Sequence, residues 1–365
     1  MKSELVSINV ARALAALSVF VYHYGVGLVL ARYTGFSLFS WLAIPGALYG
    51  VPLFFVISGF CIHGSEWHRL NENVGVFDLR GYAERRFRRI YPVYLFALLF
   101  SCAVNGTNSN WPSSSDFWLH VFLLQGFSSE FFNSINLVLW TISIEVFFYI
   151  VYPLWLNLRL KVGLIWAFLM GASLSIMSCA LTAAYWYPYG YPARWFFLNT
   201  WGGWLVGALL AETIVKNPEV FRTWKWWAIG AVVWTIWLWA EPGLDEGRSQ
   251  ILIFPGRIFI SVWPLSALVL GERTLVEAQG ISRLVVRGLS LIGLFSYSLY
   301  LLHEPAISIR IQLENVVDLG RMKSIFDIAY FFVVLGVCWL SYRLNELRFI
   351  SRKKGTIADK PLVQA

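Results

Sequence analysis

Ten apolar segments follow one another along the chain, at roughly 8–30, 46–64, 90–104, 137–157, 163–184, 195–215, 226–240, 250–270, 289–309 and 326–342. The hydrocarbon core of a bilayer is about 30 Å thick and takes about 20 apolar helical residues to cross. Inside it every backbone N–H and C=O must be satisfied within the segment, which leaves the helix as the form available to such runs. The sequence therefore predicts an all-α polytopic membrane protein, a bundle of about ten transmembrane helices. Composition agrees: 14% of the residues are charged, where soluble domains carry about 25%. The third, seventh and tenth segments are short and lean on Trp or Tyr ends. The stretch FWLHVFLLQGF (117–127) is too short to span, and is expected on the membrane surface or as a re-entrant element.

Lysines and arginines orient the bundle. With the N-terminus cytoplasmic, 21 of the 29 fall in cytoplasmic connections and six in outer loops, and Arg12 and Arg257 remain within spans. The outer loop 105–136 carries none. Both termini are thus expected in the cytoplasm, with a single transmembrane domain over 1–349 and a basic cytoplasmic tail over 350–365. The net charge of +8 is then a topology signal, and no nucleic-acid partner is expected. Lys2 followed by ALAAL imitates a signal peptide, but the apolar run continues to Leu30, which favours an uncleaved first helix. Cys61, Cys102, Cys179 and Cys338 lie in or beside apolar segments without metal-ligand spacing, so they read as packing residues and no metal is expected.

Ionisable groups inside the spans are costly and point to function. Arg12 and His23 are eleven residues apart, three turns plus about 20°, so they share one helix face about 16 Å apart along the axis. Glu145 stands alone in LWTISIEVFFYIVYP (139–153), at nearly the depth of His23. LFSYSLYLLHEPAISI (294–309) brings His303 and Glu304 to about the same level. Arg257, in FPGRIFI, is a possible fifth member or counter-ion. In ERRFRRIYPVY (84–94), Pro92 suits a first helical turn, and Arg86 and Arg89 lie three apart on one face. Their planar guanidinium forks match phosphate. Ser58-Gly59, inside the second span, reads as close helix packing. His63 and His68 read as interfacial, and His120 carries no clear signal.

These segments together resemble the membrane-bound acyltransferase-3 family. The resemblance rests on Arg12-x10-His23, VPLFFVISGF (51–60), RRFRRIYP (85–92) with Arg86-x-x-Arg89, WTISIEVFFY (140–149) with Glu145, and YSLYLLHEP (297–305). YRLNELRF (342–349) resembles the family's closing motif, with Arg348 where a proline is usual. The resemblance implies a ten-helix acyltransferase of a bacterial inner or cytoplasmic membrane. It would move an acyl group, often acetyl, from cytoplasmic acyl-coenzyme A to a hydroxyl of an extracytoplasmic carbohydrate or lipid-linked glycan. A separate glycan-assembly protein is a possible partner beside the membrane lipids. Arg86 and Arg89 are then expected on the donor's phosphates, with Arg12 along its arm. His23 is the expected base, Glu145 the group orienting it, and His303 a second candidate base. The competing readings are a proton-coupled transporter or flippase of a saccharide or lipid intermediate, and a non-catalytic scaffold. The aromatics Trp111, Trp118, Tyr185, Trp186, Tyr187, Tyr189, Tyr191 and Trp195 read as a sugar-stacking mouth or, more simply, an interfacial belt.

Overall fold

The computed structural model describes residues 5–72, 76–107, 109–186, 195–244, 247–317 and 320–350. Among these, helices account for the ordered elements and no strand occurs. The main helices are α1 (Val6–Tyr24), α2 (Val26–Thr34), α3 (Val51–Glu72), α4 (Leu79–Gly106), α5 (Ser114–Val121), α6 (Trp140–Val162) and α7 (Leu164–Leu181). They continue with α8 (Phe197–Lys216), α9 (Trp224–Leu244), α10 (Ile253–Ile260), α11 (Val262–Leu270), α12 (Gly280–Leu294), α13 (Ser296–Val316) and α14 (Lys323–Ser341). The tail from 351 onward lies outside the described residues, as do Tyr187, Tyr189 and Tyr191.

Helix occupies all ten expected segments, but among the described residues seven helical stretches are long and apolar enough to cross a membrane, or eight if the bent pair α12–α13 is one span. α8 and α9 fall outside that set. α8 spends positions on Asn199, Thr200, Glu212 and Thr213, and α9 on Glu241, Pro242 and a run of tryptophans. Two expected spans are broken. The first ends at Gly25, whose backbone sits in the left-handed region (φ 74°) and caps α1 through the Tyr22 and Val21 carbonyls, a conformation that favours glycine. The ninth bends by 73° between α12 and α13, so its membrane-length part starts at Ser296. Pro92 is also not at a helix start. α4 begins at Leu79, where Asp78 accepts from the Gly81 N–H at 2.8 Å, so Arg85–Arg89 are already helical and Pro92 is internal.

A proline inside a helix deprives the carbonyl four residues back of its donor. Two such carbonyls have found other donors. Pro305 frees Leu301 O, which accepts from Asn136 Nδ2 at 3.2 Å. Pro153 frees Tyr149 O, which accepts from the Tyr82 hydroxyl at 3.1 Å. α1 is capped from a distance: Glu272 takes the Val6 and Ser7 N–H groups at 2.9 and 2.7 Å, a carboxylate at the positive end of the helix dipole.

The apolar interior forms two clusters. One gathers α3, α6, α7, α8, α10 and α11 around Trp201, Trp204 and Phe148. The other gathers α1, α4, α13 and α14 around Phe20, Tyr94 and Leu299. Glycines set the closest approaches. A Cβ on Gly59 would lie 2.1 Å from Trp204 O, one on Gly207 2.1 Å from Val56 O, and one on Gly293 2.0 Å from Asn9 O. The expected tight packing at Ser58-Gly59 is therefore present at Gly59. Ser58 itself has another task.

Candidate active site

The site lies at the seam of the two apolar clusters, where Val51 and Tyr149 pack against both. A cavity of about 770 Å³ of atom-free space, counting its open mouth, is bounded here by α1, α3, α4, α6 and α13. Arg12, Arg86, Arg89 and Glu145 all line it, with Ser58, Cys61, Thr141, Tyr149, Tyr297 and Tyr300. Four of the six residues to which the resemblance assigns a role thus share one cavity.

The arginine end is built around a carboxylate the sequence did not single out. Glu66 is 2% exposed and takes Arg85 Nη2 at 2.8 Å and Arg86 Nη2 at 3.1 Å, one on each oxygen. Arg86 also rests over the Tyr82 ring at 5.5 Å, and its Nε is buried with no hydrogen-bond partner among the described residues. Arg12 Nη2 donates to Cys61 Sγ at 3.6 Å. Three guanidiniums with one orphaned N–H around an open volume fit a phosphorylated ligand.

Glu145 sits further along the cavity. One of its oxygens accepts from Ser58 Oγ at 2.7 Å and from the Tyr149 hydroxyl. Ser58 is held in turn by Trp204 Nε1 at 3.2 Å. Its other oxygen has no hydrogen bond among the described residues and is left for the cavity.

Glu145 is not the partner of His23. That place belongs to His303, whose Nε2 lies 2.7 Å from His23 Nδ1, with the ring centroids 5.1 Å apart and the planes 16° from parallel. His303 is fully buried and His23 partly exposed. Neither ring lines the cavity. Tyr300 separates the two regions: it lines the cavity, exchanges a hydrogen bond with Thr141 at 3.0 Å, and its ring lies 6.1 Å from that of His303. Ser296, Tyr300 and His303 follow one face of α13, as Arg12 and His23 follow one face of α1. The two helices pack together, so they carry the cavity's arginine end and the histidine pair on one shared groove. Glu304 makes no hydrogen bond or ion pair among the described residues. In the closing motif, Glu346 is buried and accepts from Ser298 Oγ at 3.0 Å.

Other polar groups belong elsewhere. Arg257 is bound by Glu241, with Nε–Oε1 at 2.9 Å, and takes no part in the histidine level. His63 is not interfacial. It is fully buried between Tyr152 and Glu212, each at 3.1 Å, and Glu212 also holds Arg159 and Lys216. His120 is buried beside Asp116 at 3.0 Å. Burial lowers its pKa, and Asp116 offsets this in part. Trp111 and Tyr185 are exposed, whereas Trp195 packs against Phe254 at 4.1 Å.

The sequence-family comparison fits this architecture: the acyltransferase-domain family model matches residues 5–343. The chain belongs to the acyltransferase-3 family. The secondary structure of its described residues is helical, with several stretches long and apolar enough to cross a membrane. A curated relative, the peptidoglycan O-acetyltransferase OatA of Listeria monocytogenes, is 25% identical over 380 aligned residues. The alignment covers 96% of this chain and 56% of that protein, so the acyltransferase-3 chain described here spans little more than half the relative's length. No solved structure matches it significantly.

Proposed function

We propose that this acyltransferase-3 protein moves an acetyl group from cytoplasmic acetyl-coenzyme A to a hydroxyl of an extracytoplasmic glycan of the peptidoglycan class. The observation that carries the reading is the cavity that leads from three arginines past Glu145 to the tyrosine adjoining the histidine pair. The relative's name supplies the glycan class. In this reading all ten helical segments span, the termini are cytoplasmic and the arginine end opens inward, as the Lys and Arg distribution implies.

Arg86 and Arg89 hold the donor's phosphates, and Arg12 lies beside the start of its arm. The free oxygen of Glu145 accepts an amide N–H of that arm. Rotation of the Tyr300 side chain joins the cavity to the histidine pair. His23 takes the proton of the acceptor hydroxyl while that oxygen bonds to the acyl carbon. The carbon–sulfur bond breaks, and His23 returns the proton to the leaving thiolate. A positioned base contributes about 10²–10⁴-fold. His303 is not the base in this arrangement, because both its nitrogens are engaged.

The test is transfer of labelled acetyl from acetyl-coenzyme A to glycan fragments by purified protein, with mass spectrometry of surface glycans from cells with and without the gene. An acetyl mass increment that depends on the gene, and on His23 in vitro, is expected. Full turnover by His23→Ala would refute the assignment of the base, and no transfer to any glycan would refute the acceptor class.

A further inference from the structure

We infer that His303 is a positioning residue: it holds His23 in the tautomer that carries its proton on Nδ1 and so turns the Nε2 lone pair toward the acceptor. The inference rests on the reading of His23 as the base and specifies how that base is prepared.

The argument runs from one carbonyl. His303 Nδ1 lies 3.1 Å from Leu299 O. A carbonyl oxygen accepts and never donates, so the proton is on His303 Nδ1. A neutral imidazole has a single N–H, which leaves His303 Nε2 as an acceptor. His23 Nδ1, 2.7 Å away, must then donate. His23 in turn keeps an unprotonated Nε2, which has no hydrogen bond among the described residues. A backbone carbonyl in the first turn of α13 thus dictates, through two rings, which nitrogen of α1 is basic.

The surroundings hold the arrangement in place. Phe20 and Tyr300 each stand 6.1 Å from the His303 ring, and the interplanar angle of 16° keeps the two imidazoles nearly coplanar along their hydrogen bond. Gly25 ends α1 two residues after His23, which fixes the height of the imidazole on the helix. No carboxylate is bonded to either ring among the described residues. In the serine-protease arrangement a carboxylate performs this orienting task. Here a neutral imidazole performs it, so His23 is oriented without a fixed counter-charge.

The protein contains five histidines, few enough for their ring nitrogens to be resolved in ¹⁵N-histidine-labelled full-length protein in nanodiscs, with assignment by single His→Gln variants. Long-range ¹H–¹⁵N spectra are expected to show His23 protonated on Nδ1 in the wild type. His303→Leu removes the acceptor. It should move His23 to the Nε2–H form and lower kcat at least about tenfold, within the roughly 10²–10⁴-fold worth of a positioned base. Binding of a non-hydrolysable acetyl-coenzyme A analogue should be retained. His303→Gln offers an amide oxygen to the same N–H and should restore both tautomer and rate in part. A wild-type His23 protonated on Nε2, assigned through His23→Gln, would overturn the inference even if the His303 variants failed to fold. So would a His303→Leu protein with unchanged tautomer and unchanged kcat. Full turnover by His23→Ala would sink the base assignment instead, a result the wild-type spectrum cannot produce.

Discussion

Replacing Arg86 and Arg89 together by alanine should separate donor docking from chemistry. Both line the cavity, and the Arg86 side chain is 15% exposed. Hydrogen bonds to charged groups contribute about 1.5–3 kcal/mol each. The mouth is partly wet, and Arg86 already shares its charge with Glu66, so the lower end applies to each arginine. Two such contacts sum to roughly 3 kcal/mol, and at about 1.4 kcal/mol per decade the Kd should rise about 100-fold. Removing Arg86 should not strand Glu66, because Arg85 stays at 2.8 Å from it. Lysine replacements should recover only part of the loss, since an ammonium lacks the planar fork, and added salt should weaken wild-type binding. The assay is isothermal titration with a non-hydrolysable acetyl-coenzyme A analogue, with steady-state rates alongside. Apparent KM should rise with kcat nearly unchanged, the mark of lost uniform binding. Analogue binding as tight as in the wild type would refute the argument and leave these arginines as topology signals.

Reporter fusions after Gly106 should read outside and those after Asn71 inside; the opposite pattern would put the arginine end on the wrong face for cytoplasmic coenzyme A. Glu212→Leu strands His63, Arg159 and Lys216, the first of them fully buried. It should cost about 3–5 kcal/mol, read as a lowered unfolding midpoint in detergent; an unchanged midpoint would show that the network contributes nothing. His120 has a lowered pKa in the folded chain, so the unfolded chain binds the extra proton. Stability from this group should be complete above about pH 6.5 and fall as pH drops below it. His120→Gln should flatten that slope, and identical wild-type and variant slopes would exclude His120 as its source.

The parts of the site legible in the sequence are those set by a single helix. The eleven-residue spacing of Arg12 and His23 fixes a shared face from helix geometry alone, and the solitary Glu145 in an apolar run announces itself by cost. The parts that were not legible depend on register between helices. His303 answers to His23 across 280 positions, and which of two nearby groups takes that bond is decided by how α1 packs on α13. Glu66 and Glu241 sit just past the ends of apolar runs, where a charge looks like a boundary; each proved to be the anchor of an arginine. The breaks at Gly25 and before Ser296 escaped hydropathy because the residues around them remain apolar. Pro153 and Pro305 did carry a usable signal: an internal proline implies a donor waiting for the carbonyl four residues back, and Tyr82 and Asn136 fill that role.

In the proposed reading, Tyr300, tied to Thr141 and set edge-on to Phe54 at 5.4 Å, closes the cavity toward the histidine pair. A passage wet from one face of a bilayer to the other would short-circuit the proton gradient of the cell that houses it. A ring that admits a substrate arm yet leaves no unbroken thread of water works as an airlock. Its leakiness is measurable as proton flux into liposomes, apart from any acyl transfer. Tyr300→Ala would then load a membrane with an ohmic defect as well as an impaired enzyme, a burden that falls on the whole cell and not on one reaction.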